Sequence, residues 1–278
     1  MTVRLVATDL DGTIIRSDGT ISERTSRALG AAEAAGVAVV LVTGRPPRWM
    51  GEIADATGHT GLAICSNGAI LYDLHTEQVV DSRPISPATM LEVAARLREE
   101  FPGLLFAVEY GSTFAHEPGY EHGWEIGVPQ VRVGPPQAIL DRPAAKLLAR
   151  HPTLEPDELM ADAVGILGAT ATVTHSSTRA LLEISAYGVT KASALASLAE
   201  SAGIAPAEAV AFGDMPNDLP MLAWAGRSVA VANAHPRVLA SADEVAESND
   251  ADGVARVVER ILASRRGAPP GATRPAWR

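Results

Sequence analysis

The chain has 278 residues and 47% hydrophobic content, enough for a packed core and for one large domain or two of ordinary size. A net charge of −10 and an isoelectric point near 5.2 argue against a nucleic-acid or anionic-membrane surface as partner. The single cysteine, Cys65, excludes an intrachain disulfide, no apolar run reaches the roughly 20 residues of a membrane helix, and no charged leader precedes the first strand, so a cytoplasmic monomer or homodimer is expected.

Residues 3–8 form a short apolar run with little alternation, the pattern of a strand buried on both faces of a parallel sheet. It runs straight into Asp9-Leu10-Asp11-Gly12-Thr13, placed where such a sheet opens its ligand crevice. Side chains at i and i+2 of an extended chain leave on one side, so Asp9 and Asp11 are expected to converge. Two carboxylates that close repel unless a cation lies between them or one takes a proton. Hard carboxylate oxygens suit Mg²⁺. Alone, the pair fits equally a polar strand end with two solvated acids.

Residues 14–21 place Ser17-Asp18-Gly19 between β-prone pieces, a hairpin signal, and a small hairpin here would act as a flap over the acids. Ser22 is the expected N-cap of a helix that carries to Gly36. A second buried strand over 37–42 ends in Thr43-Gly44-Arg45-Pro46 and completes a right-handed βαβ unit. The Thr43 hydroxyl and the backbone N–H groups that follow, beginning at Gly44, are suitable donors for a phosphate oxygen. A Thr at a strand end also serves as a plain helix cap. A helix over 47–57 and a strand over 62–65 lead to Ser66-Asn67-Gly68-Ala69, and 70–73 with 78–80 read as a hairpin.

From about residue 83 the character changes. A helix from Ser86 to about Phe101 carries Met90, Val93, Ala94 and Leu97 on one face. Strand-like pieces at 104–110 and 131–133 flank a loop rich in Gly, Pro and His over 116–124, whose histidine spacing matches no metal motif, so an exposed loop is expected. Residues 144–150 are ambiguous between helix and strand. A helix covers 156–167, with Pro156 in its first turn and Gly168 past its end, and strands follow at 170–174 and 180–185. Strand–helix alternation then returns. Thr190-Lys191 opens a helix to about Ala202, and a strand over 209–212 ends in Gly213-Asp214-Met215-Pro216-Asn217-Asp218. A helix holding Met221 and Leu222, a strand over 228–231 closed by Asn233, and a helix over 253–263 complete the ordered part. The Gly-, Pro- and Arg-rich stretch 265–278 reads as a disordered tail.

Asp9 with Asp11, Thr43, Lys191, and Asp214 with Asp218 thus fall at the ends of apolar strands or just before a helix, where one parallel sheet can gather them at one edge. In this order the motifs resemble those of the haloacid dehalogenase (HAD) superfamily. Asp9-Leu10-Asp11-Gly12-Thr13 is similar to its DxDGT motif, Thr43 and Lys191 to its second and third, and Gly213-Asp214-Met215-Pro216-Asn217-Asp218 to GDxxND. Ser66-Asn67-Gly68-Ala69 and Asn233-Ala234 resemble its Cof-like branch. Asp11 and Thr43 are separated by 31 residues, Thr43 and Lys191 by 147, far more than one crossover needs. The extra domain is therefore inserted between the second and third motifs, which in the family marks subclass IIB. The resemblance implies an α/β fold with a Rossmann-like parallel-sheet core from 1–82 and 187–264 and an inserted α/β cap over 83–186 that selects substrate.

It further implies a Mg²⁺-dependent phosphatase of small phosphorylated metabolites: a sugar phosphate, a nucleotide or a phosphorylated cofactor. Asp9 would be the nucleophile and Asp11 the general acid and base. Mg²⁺ would be held by Asp9, the backbone carbonyl of Asp11, and Asp214. Thr43, Gly44, Lys191 and Asn217 would bind the phosphoryl group, with Asp218 supporting the metal or Lys191. The alternatives are a phosphomutase on the same fold and a non-catalytic, receiver-like phosphate sensor. A receiver is a single small domain and does not expect the long insertion after Thr43. An NAD-binding protein is disfavoured, because no G-x-G-x-x-G follows the first strand. The loop 116–124 and the basic tail map onto no feature of the family.

Overall fold

The computed structural model describes residues 2–120, 128, 130–175 and 181–265. The apolar run Leu5–Thr8 (β1) is buried along its whole length and takes the middle of a sheet. Glu23–Ala34 (α1) follows, capped by the Ser22 hydroxyl, which accepts from the Thr25 N–H. Ala38–Val42 (β2), a 3₁₀ turn at Pro47–Trp49, Met50–Thr57 (α2) and Leu62–Cys65 (β3) continue the alternation. Ile70–Asp73 (β4) and Gln78–Ser82 (β5) form the predicted hairpin.

The chain then builds a second layer from Pro87–Glu100 (α3), Leu105–Glu109 (β6), Phe114–His116 (β7), Arg132–Val133 (β8), Pro136–Ile139 (α4), Lys146–Arg150 (β9), Pro156–Leu167 (α5), Ala171–Thr174 (β10) and Leu181–Ala186 (β11). It returns through Lys191–Ser201 (α6), Ala209–Gly213 (β12), Leu219–Trp224 (α7), Arg227–Val231 (β13), Pro236–Leu239 (α8), Glu244–Ala246 (β14) and Gly253–Arg265 (α9).

Two sheets result. The first runs β14-β13-β12-β1-β2-β3-β4-β5. It is parallel from β14 to β3 and antiparallel where the hairpin extends it. The second runs β10-β11-β9-β6-β7-β8 and is antiparallel except for β7 with β8. The result is the expected mixed α/β fold with a parallel sheet. Each sheet has its own hydrophobic cluster. In the second, Phe106, Val108, Leu147, Ala149, Leu182 and Ile184 pack with Met90, Val93, Ala94 and Leu97 of α3 and with Leu159, Ala163 and Leu167 of α5. Successive strand residues point to opposite faces. The register Glu109↔Lys146 and Glu183↔Leu148 therefore puts Glu109, Lys146 and Glu183 together on the face turned away from those helices.

Two sequence expectations are corrected and one ambiguity is resolved. Residues 14–21 form no pair of strands, only a tight turn in which the Gly19 N–H bonds to the Arg16 carbonyl. The N–H groups of Thr13, Ile14 and Ile15 all converge on the Leu10 carbonyl, Arg16 N–H bonds to the Thr20 carbonyl, and Asp18 accepts from both the N–H and the hydroxyl of Thr20. The Arg16–Thr20 bond closes the turn, and the bonds to Leu10 take the N–H groups that would extend it into a ladder. The loop expected to be exposed at 116–124 is buried at His116, Glu117 and Tyr120, with Pro118 and Gly119 exposed: His116 ends β7, and the buried Glu117 carboxylate pairs with Arg98 and accepts from the Phe106 N–H at 2.8 Å. Residues 121–124 of that loop, like the tail 266–278, lie outside the described residues. The ambiguous stretch 144–150 resolves as strand β9, with its neighbour β6 supplying the ladder. Strands β7 and β14 and helices α4 and α8 are too short to leave a periodic signal. Among the described residues no helix is long and apolar enough to cross a membrane.

Candidate active site

The sheet order places the ends of β1 and β12 side by side, and the Asp9 N–H bonds to the Phe212 carbonyl to continue their ladder by one step. Asp9 is buried there. Lys191 opens α6, whose start is fixed by Thr190 and Ser193 in a reciprocal capping box. Its buried Nζ donates to Asp9 Oδ1 at 2.5 Å and to Asp218 Oδ1 at 2.7 Å. Asp218 Oδ2 in turn accepts the N–H groups of Asp214 and Met215, each at 3.0 Å, which folds the loop after β12 back on itself. Asp214 Oδ1 accepts from the Thr13 hydroxyl at 3.2 Å.

Two glycines make this closeness possible. Gly12 has φ +75°, and a Cβ there would lie 2.3 Å from Asp214 Oδ2. A Cβ on Gly213 would lie 2.5 Å from the Asp218 Cβ. Gly12→Ala is therefore expected to strain the backbone by about 1–3 kcal/mol and to push Asp214 out of place. A thermal melt of Gly12→Ala should accordingly show a lower transition than the unaltered protein.

Asp9, Asp214 and Asp218 are all buried and each offers a carboxylate oxygen within 4.8 Å of the others. Burial raises the Asp9 pKa well above the carboxylate range, with Lys191 opposing and the other acids adding to the effect. Burial, followed by the charge of Asp218, pushes Asp214 up to about 7. Burial works against the Lys191 charge, but Asp218 and Asp9 outweigh it and hold the ammonium firmly protonated. Three acids face one ammonium, so the site is short of positive charge. Asp218 already serves Lys191 and two N–H groups. This leaves Asp9 and Asp214 as the acids with uncommitted oxygens among the described residues. An all-oxygen donor set at a charge deficit fits a hard divalent cation such as Mg²⁺.

Asp11 departs from the expected convergence. Its carboxylate is turned to Arg45, which donates from Nε to Oδ2 at 2.9 Å and from Nη2 to Oδ1 at 2.6 Å. The Asp11 side chain is 56% exposed. The extended geometry ends where the Leu10 carbonyl collects three N–H groups, so the two-residue rule lapses there. An ion pair this exposed contributes about 0–1 kcal/mol, so releasing Asp11 costs little.

Thr43 is buried at the end of β2, and its Oγ1 accepts the Arg45 N–H at 3.0 Å, leaving the hydroxyl proton to donate. The Gly44 carbonyl accepts from Lys146 Nζ at 2.7 Å. Asn217 is buried, with Nδ2 donating to Asn67 Oδ1 at 3.1 Å, and its own Oδ1 has no partner among the described residues. Asn67 Nδ2 donates to Glu183 Oε2 at 2.8 Å. A second link joins the half-buried Arg48 to the buried Glu109 at 2.7 Å and to the Gly111 carbonyl at 3.1 Å. Asn233 Nδ2 supports the first motif by donating to the Gly12 carbonyl at 2.8 Å.

A family model described as haloacid dehalogenase-like hydrolase matches residues 6–258. The chain belongs to this family. This HAD hydrolase is 28% identical to the 5-amino-6-(5-phospho-D-ribitylamino)uracil phosphatase YcsE of Bacillus subtilis, over 92% of this chain and 94% of that protein. It is 28% identical to the pyridoxal phosphate phosphatase YbhA of Escherichia coli, over 93% and 98% respectively. In fold it is similar to the crystal structure of SMU.1108c from Streptococcus mutans UA159, with a TM-score of 0.82, 23% identity, and coverage of 94% and 100%.

Arg45, Arg48, Glu109, Lys146 and Glu183 carry no motif that marks them for the site on sequence alone. A signal for Glu183 was present, because it is a lone acid inside the apolar run Leu181-Leu182-Glu183-Ile184. Lys146 stands likewise at the head of Leu147-Leu148-Ala149.

Proposed function

We propose that this HAD hydrolase is a Mg²⁺-dependent phosphatase of small phosphorylated metabolites that works through an aspartyl-phosphate on Asp9. The observation that carries this reading is the buried Lys191 bridge between Asp9 and Asp218 beside Asp214, a nucleophile, a cation and a metal-binding acid within one hydrogen-bonded cluster. Lys191 opposes the effect of burial on Asp9 and aims its carboxylate, and it supplies positive charge where a phosphoryl oxygen gains negative charge. The Thr43 hydroxyl and the Gly44 N–H take other phosphoryl oxygens, while the Arg45 N–H stays on Thr43 Oγ1. An Asp9 oxygen attacks phosphorus, and the bond to the leaving oxygen breaks as Asp11 delivers a proton to it. Asp11 then takes a proton from the water that attacks phosphorus, and the bond to Asp9 breaks to release phosphate. Asp9, Asp214 and the Asp11 backbone carbonyl would hold Mg²⁺, which when bound neutralises charge so that an anionic carboxylate can approach an anionic phosphate.

Residues 83–186 are read as the cap that excludes water and selects the leaving group over a core formed by 1–82 and 187–264. The phosphatase names of the relatives support small phosphorylated metabolites as substrates. The single cysteine, buried in the fold, supports a cytoplasmic setting.

The test is phosphate release from a panel of sugar phosphates, nucleotides and phosphorylated cofactors, with Mg²⁺ and with EDTA. Metal-dependent release of free phosphate is expected. Transfer of the phosphoryl group within the substrate, or release unaffected by EDTA, would overturn the reading. Asp11→Asn is expected to lose most on poor leaving groups, by about 10²–10⁴-fold, as for loss of a general acid. Equal losses on p-nitrophenyl phosphate and on an alkyl phosphate would remove Asp11 from that role.

A further inference from the structure

The phosphate-binding turn is gripped from the other sheet. Lys146 heads β9 and Glu183 lies in β11, and both side chains are 0% exposed. Lys146 Nζ donates to the Gly44 carbonyl at 2.7 Å and to Glu183 Oε2 at 2.5 Å. The same Glu183 oxygen accepts from Asn67 Nδ2 at 2.8 Å. Asn67 also donates its backbone N–H to the Thr43 carbonyl at 3.0 Å and accepts from Asn217 at 3.1 Å. One connected chain therefore runs from the second sheet to both Thr43-Gly44 and Asn217.

The contact at Gly44 has an electronic consequence. The Gly44 carbonyl and the Arg45 N–H belong to one planar peptide group. An ammonium on the carbonyl polarises that group and strengthens the N–H as a donor. This N–H is the one that bonds to Thr43 Oγ1 at 3.0 Å. A hydroxyl oxygen that accepts a stronger bond becomes a stronger donor through its own proton. The order is Lys146 ammonium, Gly44–Arg45 peptide, Thr43 hydroxyl, then phosphate. Gly44 also lets the second sheet come this near, since a Cβ there would lie 3.3 Å from Asn67 Oδ1 and 3.4 Å from Glu183 Oε2. A buried ion pair of this kind is weak as a stabilising device, because desolvating both charges offsets their attraction. Its value lies in the geometry it imposes.

We infer that Lys146, held by Glu183, is a positioning residue that sets phosphate affinity through the Gly44–Arg45 peptide and Thr43, so that the site binds phosphate well only while the inserted layer is seated on it. This rests on the phosphatase reading above. Lys146 need not touch substrate for the effect.

The experiment measures inhibition by inorganic phosphate, with saturating Mg²⁺ and p-nitrophenyl phosphate as reporter. Lys146→Met/Glu183→Gln removes both buried charges together, keeps the side-chain shapes, and leaves an oxygen for Asn67, so the fold is retained; a thermal melt checks this. This variant is expected to raise the Ki of inorganic phosphate about tenfold, the scale of one hydrogen bond. Thr43→Val is expected to do the same. Combining the two is expected to add little, because both break one relay. Losses that multiply to about a hundredfold would overturn the inference, since Lys146 would then act independently of Thr43. An unchanged Ki with a raised KM would also overturn it and would make Lys146 a leaving-group contact. If the unaltered enzyme neither hydrolyses the reporter nor binds inorganic phosphate, the phosphatase reading itself fails, and the inference with it.

Discussion

Asp9→Asn is expected to abolish phosphate release, by about 10⁴–10⁶-fold as when a covalent nucleophile is removed, without loss of fold. The carboxylate is the atom set that would form the new bond to phosphorus, and an amide in its place is too weak a nucleophile. Folding should survive for a reason legible in the electrostatics. Burial and the neighbouring acids already disfavour a charged Asp9, so a neutral isostere relieves repulsion with Asp214 and Asp218. Lys191 keeps Asp218 as its ionic partner at 2.7 Å. The thermal transition of Asp9→Asn in EDTA should therefore be no lower than that of the unaltered protein. Normal turnover by this variant would remove Asp9 from the nucleophile's role.

Lys191→Met should do the opposite to stability. It removes the ammonium that two buried acids share and leaves Asp9, Asp214 and Asp218 facing one another. Breaking a buried pair from one side costs about 3–5 kcal/mol. The melting temperature in EDTA should fall accordingly. Mg²⁺ should recover part of the loss, because a cation that binds only the folded protein stabilises it by mass action. Activity should not return with it. Loss of one preorganised charge on the phosphoryl group lowers kcat by about 10²–10³-fold, and recovering the fold with a cation does not replace that charge. A Lys191→Met protein that melts in EDTA like the unaltered one would contradict the charge accounting of the site.

The strands that build the site were legible because parallel strands buried on both faces read as unbroken apolar runs. Leu62–Cys65 and Pro156–Leu167 fall where the pattern puts them, and Met90, Val93, Ala94 and Leu97 bury the predicted face of α3. Asp9, Lys191, Asp214 and Asp218 meet as an ordered set because the sheet order brings the ends of β1 and β12 together beside the start of α6. What escaped the sequence was decided by bonds it does not display. Asp11 turns to Arg45 because the Leu10 carbonyl ends the extended geometry one residue earlier. The Asp18-Gly19 turn closes, but the strands expected on either side of it do not form because the N–H groups of Thr13, Ile14 and Ile15 turn to the Leu10 carbonyl. Lys146, Glu183 and Glu109 were visible as single charges in apolar runs, yet their meeting depends on the register among β6, β9 and β11. Register is set between segments distant in the chain, and no local pattern carries it.

The most direct test of the account follows the phosphoryl group itself. Enzyme with Mg²⁺ is mixed with a ³²P-labelled phosphomonoester from the panel, quenched in acid within the first turnover, and digested, and the labelled peptide is identified. The account predicts an acid-stable, base-labile acyl phosphate on Asp9 that is absent from Asp9→Asn. Phosphate release with no protein-bound label at any quench time, or label on another residue, would contradict it.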